Sequence, residues 1–368
     1  MAATTLTRRD LIDIAHGATF LCAGGGGTLA SALAMVQRGF PARATVELLS
    51  VDDAAAAPGL TAACCYVGSE TTGEDVLDPR AIGYALDRFG ALMLARSGES
   101  VRRLAPVDMG VQGAVIPCLL TAQRRGLPVV DADGAGRAVP GLMLTTWALY
   151  GPSPNPAVAA NSAATATVVV EADTTLDCHM IVNGVCLANN FGVAAVAMWG
   201  TPGDQLRETL PIVGTISLAR SIGRALRTST EPVEATLELL RQQGLWTCVV
   251  SRGQLESVEE VRQDYLKVTI RDAAAGATVV LTAGENLVAH RSSGELLGMS
   301  PDMLCWLTPG GKAFSNTEIK DLVNQEVVLI GVSARAPLRD PRIISLFGYF
   351  LNQAQAEGKY VPIEQLSR

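Results

Sequence analysis

Only 18% of the 368 residues are charged, while 48% are hydrophobic, and histidine occurs just three times, at His16, His179 and His290. With so few imidazoles, the usual nucleophile triads and three-His metal sites are hard to assemble. No cluster of basic residues appears and the net charge is −7, so neutralising several phosphates, as a nucleic-acid partner requires, is excluded as an expectation. There is no run of roughly 18 apolar residues to cross a membrane. The opening "MAATTLTRRDLIDIAHG" interrupts its apolar positions with acids and lacks a signal-peptide pattern, so a cytoplasmic protein without a membrane partner is expected. No 20–50-residue repeat stands out. Eight cysteines are scattered at 22, 64, 65, 118, 178, 186, 248 and 305, without zinc-ribbon spacing, and most lie in apolar runs as small buried hydrophobes.

The chain has the apolar content to build two domains. The first half alternates helical and strand patterns: "TRRDLIDIAHGATFL" has helical spacing, "ATVELLSV" and "LTAACCYVG" are strands, residues 78–98 form a helix ending at Gly98, and "LPVVDAD" is a buried strand. "DDAAAAPG" (52–59) is expected to be a loop. This order predicts an α/β domain over 1–165 with a mainly parallel sheet. After the Pro-rich "YGPSPNPAV", the segments "ATVVVEA", "YLKVTIRD", "ATVVLTAGENLVAHR", "LCWLTPGG" and "EVVLIGVSA" read as strands between turns, giving a β-rich domain over 166–368. A helix inserted at 215–229 carries Gly223 in its interior, a mark of close backbone packing.

Two constellations could carry chemistry. The first is "FLCAGGGGTLASALAM", in which Gly24, Gly25, Gly26 and Gly27 precede a helix. The third glycine of a dinucleotide fingerprint is missing and no G-K-[ST] follows, so no nucleotide is expected. The loop is either a structural turn or an anion-holding element whose uncovered N–H groups stabilise a carboxylate or developing oxyanion. Cys22 beside it is a candidate nucleophile or a core residue. The second is "VVDADGAGRAVPGL", where a buried strand running into Asp131 and Asp133 sets two carboxylates at the carboxyl edge of the sheet. One of them could serve as general base or metal ligand while Arg137 fixes an anionic group; alternatively one caps a turn and the other pairs with Arg137. The cofactor stays unknown, with a divalent metal ion as one option. Asp177, Cys178 and His179 are metal-capable types, but as strand neighbours they point to opposite faces. His16 is expected at a helix surface and His290 in a structural strand. Glu285 and Asn286 of "GENL" form either a tight turn or a carboxylate-presenting loop.

The runs "LCAGGGGTLASALA", "GLPVVDADGAGRAVPGLML", "IVGTISLARSIGRAL", "GENLVAH", "SPDML" and "FGY…YVPI" together resemble the family named for S-methyl thiohydantoin desulfurase. The resemblance spans nearly the whole chain. It implies an α/β N-terminal domain joined to a β-rich C-terminal domain, and a hydrolase that removes sulfur from an (S-alkyl) thiohydantoin ring to leave the hydantoin. The implied ligand is a small cyclic amide or thiohydantoin, and a homo-oligomer is expected. Asp108 in "VDMGVQG" stands at the family's acid position and is carried over as substrate-binding; Gly24–Gly27, Arg137, Glu285 and Asn286 join it as substrate-binding candidates from the residue reading above. Gly141, Met143 and Phe350 stand where the family pattern carries Glu, Gln and Asp. Losing those groups implies either a less polar ring substituent or a second reading, a non-catalytic binding or assembly subunit for a hydantoinase or oxoprolinase-type enzyme.

Overall fold

A computed structural model describes residues 4–68, 77–78, 80–187, 191–262, 265–273, 275–354, 356 and 358–366. In chain order the elements begin with β1 (Thr4–Thr7), α1 (Arg8–Leu21), α2 (Leu29–Gly39), β2 (Thr45–Leu49), α3 (Val51–Ala56), β3 (Leu60–Val67) and α4 (Arg80–Ser97). Next come β4 (Val101–Pro106), α5 (Ile116–Arg125), β5 (Val129–Val130), α6 (Thr146–Tyr150), β6 (Ala157–Ala160), β7 (Thr167–Val170), α7 (Thr175–Cys186) and β8 (Ala194–Thr201). The helices α8 (Gly203–Thr209), α9 (Thr215–Thr228) and α10 (Pro232–Gln242) precede a run of strands: β9 (Thr247–Arg262), β10 (Tyr265–Asp272), β11 (Gly276–Ala283), β12 (Glu285–Arg291), β13 (Leu296–Met299), β14 (Met303–Leu307) and β15 (Glu326–Val332). Two helices, α11 (Pro341–Gln353) and α12 (Ile363–Leu366), close the described chain.

Two compact units result. The first comprises residues 1–12, 30–136 and 141–217 and the second residues 13–29, 137–140 and 218–368. The first holds an eight-stranded mixed sheet in the order β1-β2-β5-β4-β3-β8-β6-β7. Its central strands β2, β5, β4 and β3 are parallel, while β1, β8, β6 and β7 join antiparallel. β3 is apolar almost throughout and nearly wholly buried, as a central strand covered on both faces must be. β2 near the edge alternates buried and exposed residues. α4 buries Ala81, Ile82, Ala85, Leu86 and Phe89 along one face, and α5 stops at Gly126, whose φ of 64° suits a left-handed cap.

The second unit is an antiparallel sheet in the order β13-β12-β11-β10-β9-β15-β14, curled so that β14 also meets β12 and β13. Its core gathers Leu255, Ile270, Leu304, Trp306, Phe314, Leu329 and Ile363. Here α1 crosses α9 at glycines: a Cβ on Gly223 would lie 1.7 Å from the Asp13 carbonyl oxygen, and one on Gly17 would lie 1.8 Å from that of Ala219. The close packing expected of Gly223 is therefore real.

Three local expectations change. The segment "ATVVVEA" provides β7, which pairs with β6 in the first sheet and not with the β-rich unit. Residues 52–56 are helical, because Ser50 caps α3 by accepting the Asp53 N–H at 3.0 Å. The stretch around His179 is helix α7, capped by Thr174 through the Asp177 N–H at 3.1 Å. Among the described residues no helix is long and apolar enough to cross a membrane.

Candidate functional site

The glycine loop follows helix α1, not a strand, and its chemistry is conformational. Gly24 has φ of 96°, and a Cβ there would meet the amide groups of Asn316 and Asn286 at 2.6 and 2.8 Å. At Gly25 a Cβ would lie 2.4 Å from Glu285 Oε1. Backbone pairing fastens the loop: the Asn286 N–H donates to the Ala23 carbonyl at 2.8 Å and that of Asn316 to Gly24 at 2.7 Å. The amide of Asn316 donates to Asn286 Oδ1 at 3.0 Å and accepts from the Trp306 indole at 2.9 Å. Gly25 is not an uncovered donor, since its N–H bonds the Cys22 carbonyl at 3.1 Å. Cys22 is a buried thiol just past α1. Glu285 and Asn286 are buried at the start of β12, so "GENL" is not an exposed turn.

Arg137 lies in this same unit and is fully buried. Its guanidinium donates to the carbonyls of Ala138, Pro301 and Asp302 and to the Ser300 hydroxyl, at 2.9–3.2 Å, and sits 5.4 Å over the Phe347 ring. These partners are neutral oxygens and an aromatic face.

Asp108, Asp131 and Asp133 belong to the first unit, in the loops that leave the carboxyl ends of the parallel strands β4 and β5. Open α/β sheets place ligands at that edge. β5 ends at Val130, so the two later carboxylates follow the strand, not its two-residue period. Asp131 is committed to the N-terminus of α9: Oδ1 accepts the N–H groups of Ile216 and Ser217 at 3.0 Å each, and Oδ2 accepts the Ser217 hydroxyl at 2.5 Å. Asp133 is different. Its Oδ1 accepts the N–H groups of Ala135 and Gly136 at 2.6 Å, while its Oδ2, equally buried, has no hydrogen-bond partner. Burial pushes this carboxyl up to about 7; the two backbone donors and the neighbouring Thr215 hydroxyl act the other way, and Asp108 adds to the rise. Asp108 Oδ1 accepts the Gly110 N–H at 2.9 Å.

Around Asp133 the packing is tight and aromatic. Gly134 is wedged so that a Cβ would touch Trp147 Cδ1 at 2.4 Å and the Val107 carbonyl oxygen at 2.7 Å. The Trp147 ring stacks on Trp199, with centroids 5.8 Å apart and planes 8° from parallel. Composition and spacing carried no sign of these tryptophans.

Gly141 leaves no void, because the Met143 sulfur stands 2.4 Å from where a Cβ would be. His179 Nε2 is 3.6 Å from the same point and 2.9 Å from Asn183 Nδ2, and burial holds the imidazole below its ordinary range. His179 and Asp177 ride on a helix, so the strand argument about their faces does not apply. Among the described residues no three His, Cys, Asp or Glu side chains converge to hold a metal ion. Burial raises the thiols of Cys64, Cys65 and Cys118, which makes them poor nucleophiles.

Comparison with known proteins agrees with this architecture. The S-Me-THD-like N-terminal domain matches residues 9–171 and the S-Me-THD-like C-terminal domain matches residues 181–350. The chain belongs to the S-Me-THD-like family. A crystal structure of a protein from Chromobacterium violaceum shares its fold with a TM-score of 0.87 and 27% identity, over 98% of this chain and 100% of that one. No curated protein matches the sequence. Membership in the S-Me-THD-like family accounts for the paired α/β and β-rich halves, and leaves the reaction to be argued from the site.

Proposed function

We propose that the protein is a hydrolase of small five-membered cyclic thioamides, converting an S-alkyl thiohydantoin to the hydantoin with release of the alkanethiol. The observation that carries this reading is Asp133, a wholly buried carboxyl at the carboxyl edge of the parallel strands, held near 7 with one oxygen unused by the protein. A base of that kind is half-ionised near neutral pH and can both take and return a proton. In the reaction, the carboxylate takes a proton from water as the water oxygen bonds to the ring carbon bearing sulfur. The tetrahedral adduct then collapses, the carbon–sulfur bond breaks, and the departing thiolate takes the proton back from Asp133. Asp131, with both oxygens engaged as a helix cap, positions the loop, and Asp108 tunes the base. In this reading Arg137, Glu285, Asn286 and the Gly24–Gly27 loop shape the second unit, and Cys22 takes no covalent part.

Family membership supports the substrate class, and the replaced polar groups at 141, 143 and 350 support a second reading as a binding or assembly subunit. Incubating the purified chain with S-methyl thiohydantoins and following methanethiol release tests both. Turnover abolished by Asp133→Asn supports the enzyme; tight binding of the ring without turnover supports the subunit.

A further inference from the structure

Several buried polar atoms of the first unit have no protein partner, and they gather on the segments that enclose the 133–134 turn. They are Asp133 Oδ2, Thr215 Oγ1, Thr146 Oγ1 and Trp147 Nε1. A buried donor or acceptor left unpaired costs roughly 1–3 kcal/mol, so a fold that retains several in one place has a use for them. Contacts bring them close. The Trp147 carbon bonded to Nε1 packs on Gly134. The Thr146 N–H donates to the Gly134 carbonyl at 2.7 Å. The Thr215 hydroxyl is near enough to favour the charged form of Asp133, yet neither oxygen reaches the other in hydrogen-bonding geometry.

Trp147 is also held with unusual care. Its stacking partner Trp199 has φ of 50°, a backbone region that bulky L-residues avoid. It sits where the β3–β8 register shifts between the pairs Thr61–Thr201 and Ala63–Met198. Bulges near functional sites re-aim side chains, and local strain is retained where it serves a site. Here the bulge turns the Trp199 ring flat against Trp147.

We propose that Trp147 and Thr215, with Thr146 beside them, hold a single water against Asp133 Oδ2, and that this is the water delivered to the substrate ring. The inference rests on the hydrolase reading and adds positioning residues to it. The indole N–H points a donor at the water oxygen, leaving the water's own protons for Asp133 and for the Thr215 oxygen. A fixed donor cannot rotate away, which presents the oxygen lone pair in one direction. The charged group whose field acts on Asp133 is Asp108.

The test combines a ligand-free signal with kinetics. In protein carrying ¹⁵N-labelled tryptophan, the Trp147 indole resonance, assigned by its loss in Trp147→Phe, should move with pH near neutrality, and Asp133→Asn should abolish that movement. Thr215→Val should lower kcat about 10-fold or more with KM within about twofold, and Thr215→Ser should restore most of it. An indole resonance indifferent to pH, or equal loss in Thr215→Val and Thr215→Ser, would overturn the assignment. A titrating indole in a wild-type protein that turns over no thiohydantoin supports the water site and sinks the hydrolase reading instead.

Discussion

A carboxyl that is buried and yet only partly satisfied would, in the proposed hydrolase, couple activity to stability at one residue, Asp133. Its folded pKa, about 7, lies above the value near 4 of an exposed carboxyl. Between those values the folded chain holds a proton that the unfolded chain has released. Stability is therefore greatest below about pH 4 with respect to this group and falls as pH rises through 7, by about 1.4 kcal/mol per pH unit in that window. Asp133→Asn keeps the acceptor for Ala135 and Gly136 and should remove this slope, as denaturant melts at pH 4, 6 and 8 will measure. The same substitution should lower turnover about 100-fold or more, and wild-type kcat/KM should rise with pH through 7, since the base must be ionised. A wild-type rate that falls over that range would make the group an acid. The proposed hydrolase reading also predicts a substrate preference set by single residues. Met143 fills the space over Gly141, so a ring bound against this segment would meet a thioether where the family pattern carries Gln, and a propionate-bearing ring would lose partners worth roughly 1–3 kcal/mol per buried polar group. Alkyl- or aryl-substituted thiohydantoins should turn over faster than the propionate compound, and Gly141→Glu with Met143→Gln should narrow the gap; an unchanged ratio refutes the idea. The acid pair was legible in "VVDADG". Which acid keeps a free oxygen was not, because the distinction lies in Ile216, Ser217 and Thr215, some 85 residues on.

Among the elements, the contrast between glycines shows what local pattern reveals. Gly223 was legible as a close approach because it interrupts an otherwise good amphipathic helix. Gly184 also interrupts α7, yet among the described residues no atom outside its chain neighbours and its own helix backbone lies within 4 Å of a Cβ built on it. Gly223→Ala should destabilise the protein by about 3 kcal/mol or more through overlap with the Asp13 carbonyl, whereas Gly184→Ala should stabilise it by roughly 0.5–1 kcal/mol. Thermal melts followed by circular dichroism compare the two; similar small effects would mean that α1 and α9 do not depend on this crossing. The helices misread from sequence, α3 and α7, share one overlooked signal. Each begins with a hydroxyl residue three before an aspartate, Ser50 with Asp53 and Thr174 with Asp177, and in each the hydroxyl also donates to that carboxylate, at 2.6 and 2.7 Å. Alanine-rich "DDAAAAPG" and β-branched "HMIVNG" hid the caps, because the eye weighs composition over a window and a cap is a single residue. β8 was not read as a strand, since "VAAVAMWG" is too small-sided to stand out as β-forming.

For the whole molecule, the order of segments along the chain matters more than the composition shift near residue 160. The Pro-rich stretch before β6 looked like a domain boundary because strands without helices follow it. Those first strands complete the earlier sheet: β8 pairs with β3 on one side and β6 on the other, so it lies inside the eight-stranded order, with β7 beyond. The family's N-terminal domain match ends at residue 171, before β8 begins. A fragment of residues 1–175 therefore retains β6 and β7 but loses the strand that joins them to β3. It also loses Trp199 from the core around Trp147, and residues 216–217 that cap Asp131. Removing an interior strand leaves two rows of backbone donors and acceptors unpaired and an apolar β3 face uncovered, a combination that promotes association. The fragment should be insoluble, or soluble without a cooperative thermal transition, while the full chain melts cooperatively. Native-like near-ultraviolet circular dichroism with a sharp melt for residues 1–175 would show that the sheet closes without β8 and would refute this account of the fold.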